Sequence, residues 1–542
     1  MRPSTLTLTL KRAPLTRFIS PSSRSLLSTL SSRQSHHPRP ICAASQANRA
    51  LRLTSSPRAV TRRCHSTCCG GCGSHKQPDD RKKKAYIALG SNVGDRVAMI
   101  EEACREMERR GLRVTRTSSL WETDPMYVLD QDKFINGACE VETDLEPLAL
   151  LDELQAIEKH LGREKKVEKG PRAIDLDILL YDNQKIQHER LWIPHAGILE
   201  REFVLRPLSE LIPGQPIDHA RPWKVTQDYL NDLPPSNPPL SPLTPLSPHL
   251  PPILSFKPDR PTHVMSILNI TPDSFSDGGI NSPENLVESL LHHARTGATM
   301  IDVGGQSTSP GTPEVSLEEE LGRVLPVIRL IRKFPATAHM TISVDTYRAE
   351  VAEQAVAAGA DIINDVSAGL LDDAMFPTMA RLGKTVCLMH MRGTPQSMSR
   401  LTDYSPAGLI PTIAAELLAR VEAAQEAGVR RWRIMLDPGI GFAKDTEQNL
   451  EILRRLDDLR RWPGLEGLPW LVGSSRKGFV GKITGVTEPR ERIWGTAATV
   501  AAAVQGGADI VRVHDVGEMS QVVKMSDAIW RVNDSEAFQS EV

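Results

Sequence analysis

Two aspartates interrupt an apolar run in GPRAIDLDILLYD, residues 170–182. Asp175 and Asp177 are two positions apart, and such residues point to the same face of a β-strand, about 7 Å apart or less. Carboxylates this close repel each other unless a cation neutralises them. Because oxygen ligands without His or Cys favour Mg²⁺, we expect magnesium to bridge these acids to phosphate groups. The alternative is a pair of aspartates that faces water at the end of a strand.

Cationic residues are concentrated in the segments around this strand. The set comprises Arg163, Lys165, Arg172, Arg190, His195 and Arg201. Such groups, and the guanidinium of arginine in particular, bind phosphate oxygens well, so the composition suits a polyphosphate ligand. The sequence of this half contains no Walker A motif, GxxxxGK[ST].

A second group of polar residues follows eight strand-like runs in the other half of the chain. The group comprises Asn269, Asp302, Asp345, Asn364, His390, Asp437, Lys477 and His514. Each alone is an ordinary loop residue, but together they suit a nitrogen-rich ring. Asp345 and Asp437 can accept from ring N–H groups, and Lys477 can meet a ring carbonyl. We expect Arg512 and His514 to be cations that bind an anion.

These side chains must be positioned by two different architectures, α+β and α/β. Residues 84–222 alternate in the order βαββαβ, which predicts a ferredoxin-like α+β domain. Residues 262–542 contain eight strands that alternate with eight helices, which predicts a (β/α)8 TIM barrel with its active site at the carboxyl ends of the strands. A doubly wound open sheet is the alternative for this second domain.

Two segments lie outside the predicted domains. Residues 1–83 are rich in Arg and Ser, and the first 78 residues contain no Asp or Glu but thirteen Lys or Arg. This composition predicts a removable transit peptide and a mitochondrial matrix location, with a plastid, the cytosol or a merely disordered tail as alternatives. Residues 223–261 are proline-rich and predict an extended linker, or else a ligand of a proline-binding module.

Composition restricts the possible partners of the protein. Beyond residue 78 the chain has 52 Lys or Arg against 67 Asp or Glu, a formal net charge of −15, so we expect no nucleic-acid partner. No run approaches the roughly 18 apolar residues of a membrane helix. Five of eight cysteines fall in the tail, where CHSTCCGGCGSH (64–75) fits no familiar zinc spacing. The scattered Cys104, Cys139 and Cys387 indicate reduced thiols.

The first domain contains several motifs in order: ALGSNVGDR (88–96), FIN (134–136), Gln155 with Glu158, GPRAIDLDILLYD, and IPHAGILEREFVLRPL (193–208). Together they resemble 6-hydroxymethyl-7,8-dihydropterin pyrophosphokinase. The resemblance implies that Asp175 and Asp177 hold two Mg²⁺ ions between ATP and the pterin, with Arg163 as a further catalytic residue. It also implies an ATP-binding set of Arg163, Arg172, Ile178, Arg190, His195 and Arg201, and a pterin-binding set of Thr123, Phe134, Asn136 and Phe203.

The second domain contains the motifs ILNITPDSFSDGG (267–279), DVGGQSTSPG (302–311), SVDTYR (343–348), NDVSAG (364–369), MHMRGTP (389–395), LDPGIGFAK (436–444), GSSRKGF (473–479) and RVHD (512–515). These resemble dihydropteroate synthase. The resemblance implies that pterin is bound by Asp345, Asn364, Asp437 and Lys477. It implies that pyrophosphate is bound by Asn269, Arg512 and His514, with Mg²⁺ on Asn269. It further implies a p-aminobenzoate pocket bordered by Thr308, Phe442 and Ser475, and catalytic roles for Asp345, Lys477, Arg512 and His514.

The two resemblances together imply one chain that runs two consecutive steps of folate synthesis. ATP is the expected co-substrate, Mg²⁺ the expected cofactor of both domains, and a homodimer through the barrel the expected assembly. Two departures from the family patterns stand out: Glu168-Lys169 where an aromatic residue is usual, and Ser309 where Arg is common. The alternatives are that one domain is catalytically inactive, or that the barrel is a pterin-binding methyltransferase.

Overall fold

The computed structural model describes residues 82–126, 130–162, 170–270, 283–307 and 313–532. The basic tail, Arg163, Thr308 and both departures from the family patterns lie outside these residues. Within them an α+β body precedes an α/β body, which confirms the predicted fold class. None of the helices in the described ranges has the length and apolar character that a membrane span requires.

The first body is an antiparallel sheet with two helices on one face. Its elements are β1 (Lys83–Ser91), α1 (Arg96–Arg109), β2 (Arg113–Thr117), β3 (Leu120–Thr123), β4 (Phe134–Thr143), α2 (Pro147–His160), β5 (Asp175–Tyr181), β6 (Ile186–His188), β7 (Leu191–Ile193) and α3 (Glu202–Leu211). The strand order β5-β1-β4-β3, with β2 also paired to β4, is the ferredoxin-like arrangement.

Alternation along the strands divides this sheet into two faces. On β1, Ala85, Ile87 and Leu89 pack in a core with buried residues of α1 and α2. Tyr86, between them, belongs to a second cluster with buried residues of α3. Successive side chains of a strand point to opposite faces, so each face of β1 is covered by different helices.

The proline-rich segment is folded, so the prediction of an extended linker is wrong here. It contains α4 (Thr226–Asp232), β8 (Ser241–Thr244) and β9 (Ile253–Leu254). Strand β8 pairs with β3, where Pro242 lies opposite Trp121. Pro242 has no N–H to donate, and the ladder from β8 to β9 uses Leu243 and Thr244 instead. Proline near the edge of the sheet is therefore compatible with strand pairing.

The second body is a parallel sheet of eight strands surrounded by helices. Its strands are β10 (His263–Asn269), β11 (Met300–Gly304), β12 (Thr341–Asp345), β13 (Ile362–Asp365), β14 (Thr385–Met389), β15 (Ile434–Asp437), β16 (Leu471–Val472) and β17 (Ile510–Val513). Its helices are α5 (Pro283–Thr296), α6 (Leu317–Lys333), α7 (Ala349–Ala358), α8 (Met375–Leu382), α9 (Leu409–Glu426), α10 (Thr446–Arg454), α11 (Leu456–Arg460), α12 (Gly478–Thr484), α13 (Ile493–Gln505) and α14 (Val516–Trp530).

This sheet closes on itself. The order runs from β15 through β10 to β17 and β16, and a parallel bridge between Leu436 and Trp470 joins the two ends. The backbone N–H of Leu436 donates to the carbonyl of Pro469 at 2.9 Å. Closure into a barrel gathers the carboxyl ends of all eight strands at one mouth.

The proline-rich segment also closes the opposite, amino-terminal end of the barrel. Leu246 and Ile253 pack in one cluster with Met265, Met300 and other residues of the lowest layer of the strands. Ser247 Oγ lies 2.6 Å from Thr341 Oγ1 at the start of β12. The same segment therefore extends the first sheet and seals the base of the barrel.

A short segment before β15, residues 430–433, joins the barrel to the first body; we call it the anchor segment. Trp432 is 1% exposed, lies in the core formed by β1, α1 and α2, and donates from Nε1 to Glu101 Oε1 at 2.7 Å. Arg431 Nε donates to Glu210 Oε2 of α3 at 3.0 Å. The two bodies thus share a hydrophobic core as well as ion pairs.

Candidate active sites

Asp175 and Asp177 lie on the same face of β5. Strand pairing places Asp175 opposite Gly90 and Asp177 opposite Ala88 of β1. Leu176, between them, is buried in the core on the other face. Asp175 is half-buried and Asp177 is exposed. The two carboxylates therefore project side by side from a sheet whose opposite face is packed, as their spacing predicts.

A glycine separates the aspartates from the predicted pterin-binding residues. Gly90 pairs with Asp175 on one side and with Asn136 of β4 on the other. A Cβ at position 90 would lie 3.4 Å from Asn136 Oδ1 and 3.6 Å from the Cβ of Asp175. Asn136 Nδ2 donates to Thr123 Oγ1 at 2.7 Å. One polar strip therefore crosses four neighbouring strands, β5, β1, β4 and β3, and Gly90 leaves space between the side chains of Asp175 and Asn136.

The predicted cations around this strip contact protein groups. Arg172 forms an ion pair with Asp175, and Arg190 forms one with Asp152 of α2. His195 Nδ1 accepts from the N–H of Gly197 at 3.2 Å. Of these three residues, Arg172 directly contacts an aspartate of the strip.

Three further predicted residues, Arg201, Phe134 and Ile178, have different surroundings. The guanidinium of Arg201 lies 6.0 Å from the ring of Phe203. Phe134, the first residue of β4, is half-buried. Ile178 is 2% exposed and points into the core, because it alternates with Asp177 on β5. The side chain of Ile178 therefore cannot reach a nucleotide on the aspartate face, and only its backbone remains available.

One residue without a role in the sequence interpretation organises this site. Asn92 is 1% exposed, accepts from the N–H of Arg172 at 2.8 Å and donates to the carbonyl of Asp132 at 3.2 Å. It thereby ties the segment before β5 to the loop before β4. Its position inside the motif ALGSNVGDR is the signal that could have identified it.

At the mouth of the barrel, two acids and one arginine form a buried group. Arg512 of β17 donates from Nε to Asp302 Oδ2 at 2.5 Å and from a terminal nitrogen to Asp345 Oδ2 at 2.7 Å. Asn364 Nδ2 donates to Asp302 Oδ2 at 3.2 Å. Burial raises the pKa of Asp345, while the charge of Arg512 opposes that rise. Arg512 thus neutralises buried acids, in addition to any role as an anion ligand.

Asn269, at the end of β10, is in register with this group. Strand pairing aligns it with Gly304, and Gly304 with Asp345. A Cβ at position 304 would lie 3.2 Å from Asn269 Oδ1 and 3.5 Å from the Cβ of Asp345. Glycine at this position therefore lets the amide and the carboxylate approach each other across the mouth.

His514 is not the cation that the sequence suggested. Burial lowers its pKa to about 3, with Arg476 and Arg512 adding to the effect, so the imidazole is neutral near pH 7. Its Nδ1 lies 3.0 Å from Ser475 Oγ. A neutral histidine can offer a hydrogen bond to an anion but no full charge. The type of residue was visible in the sequence, whereas its burial was not.

Lys477 and Asp437 face each other on neighbouring segments of the mouth. Asp437 ends β15 and accepts from the N–H of Gly439 at 2.7 Å; burial raises its pKa, while the charge of Lys477 opposes the rise. Burial lowers the pKa of Lys477 to about 8. The ammonium of Lys477 donates to the carbonyl of Ile440 and lies 4.7 Å from the centre of the Phe442 ring.

The first site has the ligand chemistry of a hard cation. Asp175 and Asp177 supply carboxylate oxygens from one face. Among the described residues no group of three or more His, Cys, Asp or Glu side chains is arranged to hold a metal ion. Two carboxylates nevertheless suit Mg²⁺, which usually combines few protein ligands with water and phosphate oxygens.

Comparison with protein families gives one match to each body. The family described as 7,8-dihydro-6-hydroxymethylpterin-pyrophosphokinase (HPPK) matches residues 86–213, and the family described as pterin binding enzyme matches residues 265–514. The crystal structure of wild-type Plasmodium falciparum HPPK-DHPS with pteroate is similar to this chain, with a TM-score of 0.69 and 22% identity over 86% of this chain and 99% of that one. This likeness supports the two-body fold.

Two relatives match the chain across both bodies. The chain is 47% identical over 453 residues to the folic acid synthesis protein fol1 of Pneumocystis carinii, which covers 82% of this chain and 60% of that protein. This chain thus spans less than two thirds of the length of its fungal relative. It is 42% identical over 467 residues to the mitochondrial folate synthesis bifunctional protein of Pisum sativum, covering 84% of this chain and 90% of that protein. The chain therefore belongs to the family of bifunctional folate synthesis proteins, with an HPPK domain followed by a pterin binding enzyme domain.

Proposed function

We propose that this chain transfers pyrophosphate from ATP to 6-hydroxymethyl-7,8-dihydropterin and then condenses the product with p-aminobenzoate to give 7,8-dihydropteroate. The observation that carries the proposal is the presence, in one chain, of the same-face Asp175–Asp177 pair and the row of buried polar residues at the barrel mouth. The first suits a metal-bound polyphosphate and the second a heterocycle with several N–H groups.

In the first domain the protein would mainly position the two substrates and neutralise the charge of the phosphates. Asp175 and Asp177 would hold Mg²⁺, which neutralises phosphate charge when bound. The proposed phosphate-binding set comprises Arg163, Arg172, Arg190, His195 and Arg201, and the ion pair between Arg172 and Asp175 supports it. Asn136 and Thr123, with Phe134 and Phe203, would orient the pterin so that its hydroxymethyl oxygen attacks the β-phosphorus of ATP and AMP departs. Phosphoryl transfer of this kind depends on alignment and charge stabilisation.

In the second domain the pterin ring would occupy the mouth of the barrel. Asp345 and Asp437 accept from ring N–H groups, Asn364 both donates and accepts, and Lys477 still has two of its three N–H donors besides the one given to Ile440. Pyrophosphate would leave from the methylene carbon toward Asn269, Arg512 and His514, with Mg²⁺ on Asn269.

The amine nitrogen of p-aminobenzoate then bonds to the methylene carbon and loses one proton. Thr308, Phe442 and Ser475 would border its pocket. Arg512 stabilises the departing anion by charge, and the neutral His514 by a hydrogen bond. The sequence alone suggests that both residues act as cations, whereas here only Arg512 contributes a charge.

Assembly and location belong to the same proposal. Trp494 is 86% exposed and Ile483 is 61% exposed, on α13 and α12 of the barrel, and such a surface supports a homodimer through the barrel. The basic, acid-free tail and the mitochondrial name of the Pisum sativum relative support import into the mitochondrial matrix.

A coupled assay tests both steps at once. The purified chain receives ATP, Mg²⁺, hydroxymethyldihydropterin and p-aminobenzoate, and each is omitted in turn. We expect dihydropteroate only in the complete mixture, and pterin pyrophosphate without p-aminobenzoate. Pterin pyrophosphate that never becomes dihydropteroate would mean an inactive barrel, whereas dihydropteroate formed only from added pterin pyrophosphate would mean an inactive first domain. A barrel that ignores p-aminobenzoate but binds methyltetrahydrofolate would favour the methyltransferase alternative.

A further inference from the structure

The loop that follows β15, residues 438–445, adopts a tightly constrained path; we call it the Phe442 loop. Gly439 and Gly441 have φ angles of +69° and +81°, and Ala443 has a φ of +51°, which is uncommon for a residue with a Cβ. A Cβ at Gly439 would lie 2.0 Å from the carbonyl oxygen of His390. Such a path persists only where surrounding groups hold it.

One of those groups is a buried lysine at the end of the loop. Lys444 is 8% exposed, and its ammonium donates to the carbonyl of Phe442 at 2.9 Å. The same nitrogen lies 2.9 Å from His390 Nδ1, at the end of β14. Lys444 therefore joins the backbone of Phe442 to the neighbouring strand, and no role has so far been assigned to it.

The lysine is the first member of a chain of four polar side chains. His390 is 3% exposed, and its Nε2 lies 2.8 Å from Glu416 Oε2 on α9. Glu416 also accepts from Arg392, at 2.6 Å from a terminal nitrogen and 3.0 Å from Nε. A carboxylate can only accept, so Nε2 of His390 carries the proton toward Glu416 and Nδ1 accepts from the side-chain nitrogen of Lys444.

The charges along this chain agree with that assignment. Burial lowers the pKa of His390 to about 4, and Lys444 adds to the effect, so the imidazole is neutral. Burial opposes ionisation of Glu416, but hydrogen bonds from His390 and Arg392 lower its pKa to about 2. Burial lowers the pKa of Lys444 to about 7, so below that pH the order is cation, neutral ring, anion, cation. Lys444 and His390 are buried, whereas the Glu416 side chain is 41% exposed, so the buried Lys444–His390 end of the chain is the part whose geometry is most restricted.

A second lysine holds the same loop from the other side. Lys477 donates to the carbonyl of Ile440, and its ammonium lies over the Phe442 ring at 4.7 Å. Tyr404 adds a hydrogen bond from its hydroxyl to the carbonyl of Ala443 at 2.9 Å. Three carbonyl groups of the Phe442 loop thus accept from side chains: that of Phe442 from Lys444 within the loop, and those of Ile440 and Ala443 from Lys477 and Tyr404 outside it.

We propose that Lys444 is a positioning residue for the aromatic amine substrate: with His390 and Glu416 it fixes the backbone of Phe442 and thereby the ring that borders the amine pocket. This inference rests on the proposed function, because only that function makes the Phe442 ring a substrate contact. Lys444 acts through Phe442 and not by touching the pterin. Its loss should therefore weaken binding of the amine more than binding of the pterin.

The test is the variant Lys444→Met in the full-length chain, assayed for dihydropteroate with pterin pyrophosphate supplied. Methionine keeps the length and packing of the side chain but removes its donors. We expect the KM for p-aminobenzoate to rise about tenfold, as for loss of a charge-assisted buried hydrogen bond, while the KM for pterin pyrophosphate stays within about twofold. Lys482→Met, at an exposed position of α12, is the matched control and should change neither constant.

A second variant covers the case in which Lys444→Met fails to fold. Glu416→Gln keeps the shape of the chain but removes the charge that orients His390, and we expect the KM for the amine to rise about threefold. A fall in kcat with both KM values unchanged would mean that Lys444 only supports the fold, and would overturn the inference. A wild-type chain that forms no dihydropteroate would instead overturn the proposed function, so the two failures are distinguishable.

Discussion

The two candidate sites use the same residue types in opposite surroundings. On the first sheet, Asp177 is exposed, and the side chains of the ion pair Arg190–Asp152 are 44% and 58% exposed. At the barrel mouth, the side chain of Asp302 is fully buried and that of Arg512 is 19% exposed. The exposed charges are solvated and screened, whereas the buried charges are paired before any substrate arrives.

This difference in burial indicates which groups each site needs before it can bind and convert its substrates. Water screens the open face, so under the proposed function a cation and the phosphates of the nucleotide would complete the electrostatics of the first site. In the barrel, desolvation penalises unpaired charge, so Arg512 is held between Asp302 and Asp345 and the site is preorganised. We therefore expect the first site to respond to metal and nucleotide, and the second to respond to changes in its internal pairs.

The largest expected effect separates the two sites. Asp177→Ala removes one of the two carboxylates that would hold Mg²⁺, and should lower the rate of pyrophosphate transfer by about a thousandfold or more. Dihydropteroate formation from supplied pterin pyrophosphate should not change. Both rates are measured on the same preparation, with exposed Asp259→Ala as the control. Parallel loss of both rates would contradict the separation.

The next prediction tests whether the two domains unfold together because they share a hydrophobic core. Trp432→Ala empties a position that is 1% exposed and removes the hydrogen bond to Glu101. The free energy of unfolding should fall by about 3 kcal/mol, measured by urea denaturation. Both activities should be lost at the same, lower urea concentration. Trp223→Ala, at a residue 76% exposed, should have little effect. Two activities lost at different urea concentrations would show independent domains.

A smaller expected effect is the pH dependence of the barrel reaction, which depends on the charge of buried Lys477. Lys477 has a pKa of about 8 in the folded chain, lowered from its usual value by burial, so the cation is lost as the pH rises through about 8. If the cation binds the pterin, kcat/KM for pterin pyrophosphate should fall about tenfold per pH unit above that value. Lys477→Arg stays cationic and should abolish this decline, even if its activity is lower. A wild-type profile that stays flat up to about pH 9.5 would contradict the role of the charge.

The smallest effect concerns the exposed ion pair of the first site. Asp152→Asn frees Arg190 from its partner on α2. The free energy of unfolding should change by less than about 0.5 kcal/mol, because solvent screens the pair. The KM for ATP should fall by no more than about twofold. A change above about 2 kcal/mol in a urea titration would show that this face is less screened than its exposure suggests.

Geometry that follows from strand periodicity could be predicted from the sequence. The common face of Asp175 and Asp177 follows from their spacing, and the row from Asn269 to Asn364 follows from the parallel order of the strands. The burial of the Ile178 side chain follows from the same alternation. The family resemblance implied that Ile178 binds ATP, but it did not show that the side chain points away from the aspartate face.

Properties that depend on distant neighbours could not be predicted. The charge of His514 depends on burial beside Arg476 and Arg512, which the local sequence does not reveal. Trp432 stands in RWR between a helix and a strand, and nothing in that segment indicates a partner in the other body. Proline density correctly argues against a long helix, but it contains no information about the edge strand or the barrel base that the segment reaches.

Segment 241–254 contacts both domains, and this limits where the chain could be split into two separately folded proteins. Its first part adds a strand beside β3, and its later residues cover the base of the barrel. A gene split upstream of it would deprive the first product of an edge strand, and a split downstream would expose Met265 and Met300 in the second. Each separately expressed half would need its own copy of the segment. In one polypeptide a single copy serves both halves at a fixed one-to-one ratio.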